Sequence, residues 1–125
     1  MGHGFVNSAR DMDVFKRAYE LSLKVHQASL SFPQCEQYGL ASQLRRSSKS
    51  ICANLIEGFA KQVNSKREFA RYVVISLGSC NETILWLSYS QDLGYLSIES
   101  SQTWQKEYDE IARMLNKLYK SLSNN

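Results

Sequence analysis

Apolar residues recur at a 3.6-residue spacing in four stretches of the chain, the pattern of amphipathic helices rather than strands. The first stretch predicts a helix from about Asp13, a plausible N-cap, to about Ser31, with Phe15, Ala18, Tyr19, Ser22, Val25, His26 and Ser29 on its inner face. Phe32-Pro33 ends it, because a residue before proline is pushed out of the α region. The second helix is expected from near Glu36 to around Lys61. Ser65-Lys66-Arg67-Glu68 reads as a capping box that starts a third, running to about Asp92. Gly94 supplies the left-handed position that commonly closes a helix. The fourth runs from about Ile98, capped by Ser97, to Leu122. Its stripe of Trp104, Tyr108, Ile111, Leu115, Leu118, Tyr119 and Leu122 is that of an ordinary bundle helix. Short links between long helices predict an all-α, antiparallel up-down-up-down four-helix bundle. The domain is expected over residues 11–125, behind a flexible N-terminus of residues 1–10.

The third helix departs from that simple pattern. Phe69, Tyr72, Val73, Leu77, Cys80, Ile84 and Leu87 form one apolar arc, enough to serve a bundle core. The opposite arc carries Val74, Ile75, Gly78, Leu85, Trp86 and Tyr89, with Arg71 and Glu82 among them. A helix apolar on both sides is normally buried on both sides. Val74, Ile75, Gly78, Glu82, Leu85, Trp86 and Tyr89 are therefore expected at a subunit interface, with Trp and Tyr as anchors.

In the second helix Leu40, Leu44, Ile51 and Leu55 make the core stripe, and beside it runs a polar one of Gln43, Ser47, Ser50, Asn54 and Glu57. Serine and asparagine are poor helix-interior residues by propensity. Next to a core stripe they are expected to join a structural network of interhelical hydrogen bonds, with Gln43, Ser50, Asn54 and Glu57 as its members. A buried Glu57 or Glu82 needs a partner, and Arg45 or Arg46 is the obvious one.

Composition adds a charge asymmetry. The net charge is +3, yet Ala41 to Arg71 holds seven basic residues (Arg45, Arg46, Lys49, Lys61, Lys66, Arg67 and Arg71) against two acidic ones, so the rest of the chain sums to −2. A local excess of that size attracts phosphate backbones. Cys35, Cys52 and Cys80 lack the spacing of a disulfide framework or a zinc site. No apolar run approaches the roughly 20 residues that span a bilayer, and MGHGFVNSARD lacks a signal-peptide core, so a cytoplasmic protein is expected. Catalysis has little to work with. His3 and His26 are the two histidines, no Glu-x-x-His pair serves a di-metal bundle, no arginine has a histidine five residues on, and no glycine-rich phosphate loop occurs. The expectation is a non-enzyme with no metal and no cofactor.

One run is more specific than any periodicity: Phe32-Pro33, Glu36, Tyr38-Gly39-Leu40, Gln43, Arg45-Arg46, Ser50-Ile51, Asn54 and Glu57-Gly58-Phe59. With Arg10-Asp11, Arg67-Glu68-Phe69, Leu77-Gly78-Ser79, Glu82, Leu93-Gly94-Tyr95-Leu96 and Met114-Leu115 to Leu122, it resembles the bacterial 23S rRNA intervening-sequence protein family over nearly the whole chain. The resemblance implies a four-helix bundle that assembles as a homopentameric, barrel-like ring, in a family often encoded within insertions in 23S rRNA genes. By fold it is also distantly similar to the accessory variability determinant of diversity-generating retroelements, which binds reverse transcriptase and nucleic acid. Ser47-Ser48 stand where the family usually has alanines, Lys49 where it has an apolar residue and Ile56 where it has alanine. His26 takes the place of an aromatic, which implies core packing.

The leading expectation is a homo-oligomer that binds nucleic acid, RNA favoured, through the seven cations named above. The rival is a protein-interaction scaffold whose ring docks a reverse transcriptase or a ribosome-associated protein.

Overall fold

A computed structural model describes residues 7–123. The chain forms a 3-10 turn Ala9–Asp11, helix α1 Asp13–Ser29, a 3-10 turn Gln34–Glu36, then α2 Leu40–Lys61, α3 Lys66–Asp92 and α4 Ile98–Ser123, with no strand among the described residues. The ten N-terminal residues expected to be flexible thus include the start of a turn whose Ala9 is buried, while His3 lies outside the described residues. No helix among the described residues is long and apolar enough to cross a membrane.

Local chemistry sets the helix limits. Ser65 Oγ accepts the Glu68 N–H at 3.2 Å to open α3, and Ser97 Oγ accepts the Ser100 N–H at 3.0 Å to open α4. Gly94, at φ +80°, reverses the chain after α3, and the Tyr95 N–H returns to the Ser90 carbonyl at 2.9 Å. Two starts differ from the sequence expectation. Asp13 is the first residue of α1, and Met12 precedes it without a side-chain cap. The second helix begins at Leu40 because Gly39, at ψ −112°, interrupts the helical path after the Gln34–Glu36 turn. Glu36 then works as a remote cap: its Oε1 accepts the Leu40 N–H at 3.2 Å and its Oε2 accepts the Tyr95 hydroxyl at 3.0 Å. With the Phe32 and Tyr95 rings 5.6 Å apart, one carboxylate fastens the α1–α2 connection to the α3–α4 connection.

Each helix gives its most buried face to a shared core: Ala18, Leu21 and Val25 of α1, Leu44, Ile51 and Leu55 of α2, Val73, Cys80 and Leu87 of α3, and Tyr108, Ile111 and Leu115 of α4. The inner face of α1 is rotated from the expected one, since Val14 and Leu21 are buried where Tyr19 and His26 were placed. Tyr19 instead stacks on Phe15 at 6.0 Å, and the Arg10 guanidinium lies 5.5 Å from both ring centres. Arg17 and Glu110, 2.7 Å apart, join α1 to α4, and that bond holds the Glu110 carboxyl below its usual range.

Between α2 and α3 the contact is made by small hydroxyl residues. Thr83 Oγ1 donates to Ser47 Oγ at 2.9 Å, Ser50 and Ser79 share a bond at 2.9 Å, and Ser76 Oγ donates to the Ile51 carbonyl at 2.9 Å. The paired numbers fall on α3 as they rise on α2. Tyr72, Leu77 and Ile84, expected in the core arc of α3, are half-buried, because Ser76, Ser79 and Thr83 take the positions that face α2.

Two substitutions test this packing. A Cβ at Gly58 would stand 2.7 Å from Tyr72 Cβ and 2.9 Å from Phe69 Cδ1, atoms that move only if α2 and α3 part. Gly58→Ala is expected to lower unfolding stability by about 1–3 kcal/mol in denaturant titration, despite alanine's better helix propensity. The buried Tyr108 hydroxyl has no hydrogen-bond partner among the described residues. Tyr108→Phe is expected to preserve the fold and raise stability by about 1 kcal/mol, read as a small rise in Tm.

Candidate nucleic-acid interface and assembly surface

The cations of the second helix do different jobs. Arg45 turns toward the end of α1, where Nη1 donates to Ser29 Oγ at 2.8 Å and to Gln37 Oε1 at 3.3 Å, and Nη2 donates to the Gln37 carbonyl at 3.0 Å. Gln37 Nε2 completes the knot, donating to the Ser29 and Phe32 carbonyls at 3.1 and 2.9 Å. Arg45 is therefore an internal strut between the α1 C-terminus, through Ser29, and the α1–α2 connection, through Gln37. Arg46 points the other way, donating to Gln43 Oε1 at 2.9 Å and pairing with Glu82, whose Oε2 also accepts Trp86 Nε1–H at 3.0 Å.

Lys49 Nζ lies 2.8 Å from His26 Nδ1. Burial, then the Lys49 charge, then that of Arg45, push the His26 pKa down, so the ring is neutral at pH 7 and Nδ1 accepts from the ammonium. Burial and Arg45 likewise lower the Lys49 pKa. His26 is thus a half-exposed partner of Lys49 rather than the core residue its family position implied.

At the α2–α3 connection the remaining cations gather. Lys61, Lys66 and Arg67 are exposed and make no ion pair among the described residues. Arg71 stands 3.4 Å from Glu68, with its guanidinium 4.9 Å from the Tyr72 ring centre. Lys66, Arg67 and Arg71 also border a cleft of about 790 Å³ whose apolar walls are Val74, Ile75, Tyr119 and Leu122.

The outward arc of α3 is open to solvent, with Val74 47%, Ile75 40%, Leu85 49% and Tyr89 50% exposed. Gly78 is exposed between them, and Trp86 packs its ring 5.8 Å from Tyr89. Of the polar stripe, Asn54 Nδ2 donates to the Ser50 carbonyl and Oγ at 2.8 and 3.0 Å, Ser50 reaches Ser79, and Gln43 holds Arg46. Glu57 is exposed and takes part in none of these bonds. A second apolar face escaped the sequence reading: Tyr19 40% and Leu23 52% exposed on α1, Leu30 52% exposed at its C-cap, and Ile56 42% exposed on α2. Its signal was there in the i, i+4, i+7, i+11 spacing of Tyr19, Leu23, His26 and Leu30.

Burial pushes the Cys52 and Cys80 thiols up to about 12, which keeps them protonated at neutral pH. No three His, Cys, Asp or Glu side chains among the described residues converge to hold a metal ion.

The family model of the 23S rRNA-intervening sequence protein matches residues 10–117. The chain belongs to that family. A crystal structure from Bacteroides thetaiotaomicron, described as a protein of unknown function from the S23 ribosomal protein family, superposes with a TM-score of 0.74 at 24% identity, over 86% of this chain and 98% of that one. That likeness shows a shared fold. The comparison with curated proteins finds no match.

The division of labour among the cations has a measurable consequence. Arg45→Met leaves Ser29 and Gln37 without their donor and is expected to cost about 1–3 kcal/mol of stability. Lys61→Gln alters an exposed side chain with no ion-pair partner among the described residues and is expected to stay within about 0.5 kcal/mol in the same unfolding titration.

Proposed function

We propose that this protein is a non-enzymatic, cytoplasmic RNA-binding protein that works as a homo-oligomeric ring. Its helices alternate up and down, in keeping with the opposed order of bonded pairs between α2 and α3, and five copies close the ring. The observation that carries the binding reading is the cluster at the α2–α3 connection. Lys61, Lys66 and Arg67 stand exposed with no carboxylate partner among the described residues, while Arg45 is held internally and Arg46 is paired. Uncompensated cations at one end of a bundle raise the local concentration of a polyanion. Ring symmetry repeats that cluster once per subunit, so weak phosphate contacts add. RNA is favoured because the family's description ties its members to 23S rRNA.

Fluorescence anisotropy with a labelled single-stranded RNA, titrated across salt, tests this reading. The log of the binding constant is expected to fall linearly with log salt, with a slope of about −0.7 per phosphate contacted. Replacing Lys61, Lys66 and Arg67 together by glutamine is expected to flatten that slope by about 2 per binding subunit and to weaken binding at least about tenfold near 0.1 M salt. Affinity that ignores salt, or a triple variant that binds as tightly as the parent, would overturn it. Absence of RNA binding alongside stoichiometric capture of one protein supports the docking scaffold instead.

A further inference from the structure

Two separate faces of the molecule expose apolar side chains: the outward arc of α3, and the α1–α2 face with Tyr19, Leu23, Leu30 and Ile56. Each also carries a polar group at mid-height. On α3 it is Glu82, both of whose hydrogen bonds fall on Oε2, leaving Oε1 open. On the α1–α2 face it is Lys49 with His26, and Arg45 beside them adds charge.

The heights agree. Arg46 and Lys49 are one turn apart on α2, and they reach Glu82 on α3 and His26 on α1 respectively. Glu82 and the His26–Lys49 pair therefore stand within about a helical turn, roughly 5 Å, of one level. The order agrees as well. Bonded pairs run oppositely between α1 and α2 (Ser29 with Arg45, Phe15 with Cys52) and again between α2 and α3, so α1 and α3 ascend together. Going up, α3 presents Val74 and Ile75, then Glu82, then Leu85 and Tyr89, while α1 presents Tyr19 and Leu23, then His26, and its C-cap Leu30 follows.

We propose that these faces are the two halves of one interface: the α3 face of one copy seats on the α1–α2 face of the next, head to tail. The inference rests on the homo-oligomer reading and supplies its geometry. Apolar bands meet apolar bands, and the Glu82 carboxylate meets the Lys49 ammonium in the middle, a complementarity of charge as well as register. A two-fold pairing of α3 with itself would leave the cations of the α1–α2 face, and the leucines beside them, uncovered. Two different mating surfaces on one chain make a heterologous contact, which closes into a ring or propagates.

Blocking one half at a time tests the arrangement. Leu23→Glu and Leu85→Glu alter exposed side chains on opposite faces, and circular dichroism with thermal unfolding verifies that each variant keeps the fold. By light scattering at micromolar concentration the parent chain is expected to be an oligomer, and each variant a monomer of about the 14.3 kDa chain mass. An equimolar mixture is expected to form a heterodimer of twice that mass and nothing larger, because one intact α3 face and one intact α1–α2 face remain. A parent chain that is monomeric overturns the homo-oligomer reading and this interface with it. An oligomeric parent whose Leu23→Glu variant keeps its size, or whose two monomeric variants do not combine, overturns the head-to-tail interface alone.

Discussion

The close approach of α2 and α3 is the constraint on which the rest of the molecule depends. Ser47, Ser76 and Thr83 are wholly buried, and a buried hydroxyl left unpaired costs about as much as several ordinary contacts contribute. Ser76 is satisfied only when the two helices lie near enough for it to reach the Ile51 carbonyl, and Thr83 and Ser47, which also bond within their own helices, meet across the same contact. Gly58 permits the same proximity at the far end, where any side chain would strike Tyr72 and Phe69. The positions of α3 that face α2 are thus committed to small residues, while Phe69, Val73 and Leu87 fill the core and Val74, Ile75, Leu85 and Tyr89 stay exposed on the outward arc.

The connections obey a similar economy. Glu36, Tyr95, Gln37 and Arg45 bind the loops at one end of the bundle to each other and to the last turn of α1. An arginine there is suited to the work, since a planar fork of donors serves several neutral acceptors at once. Its engagement draws one charge out of the basic segment. Arg46 loses its freedom to Glu82, so the net charge of the segment overstates what the surface offers a partner.

How far the residues reveal this in advance depends on whether a signal is local. Ser65 and Ser97 cap through their own side chains and Gly94 reverses the chain through its own backbone, so the limits of α3 and the start of α4 are legible from them. The start of α2 is not, because the group that caps it is the side chain of Glu36, four residues earlier and across a separate turn. The inner face of α1 is ambiguous for another reason: Phe15, Tyr19, His26 and Leu30 make as good a periodic stripe as Val14, Leu21 and Val25. Only the tertiary placement of Arg10 over Tyr19 and of Lys49 beside His26 decides between them. The candidate site follows the same rule. Exposure of the α3 arc is readable from its double amphipathicity, whereas the fate of each arginine depends on partners many positions away.

The proposed contacts also bear on each other. In a head-to-tail ring Lys49 and the α3 arc are consumed between subunits, so neither remains for a polyanion. Lys61, Lys66 and Arg67 escape, because the α2–α3 connection lies at the end of the bundle rather than on its flank. With its helices along the axis, such a ring would carry those connections to one rim, where each subunit would add its cations to those of its neighbours. The proposed collar of charge would then stand above the proposed apolar contacts, and a phosphate chain laid around it would meet cations at the subunit spacing.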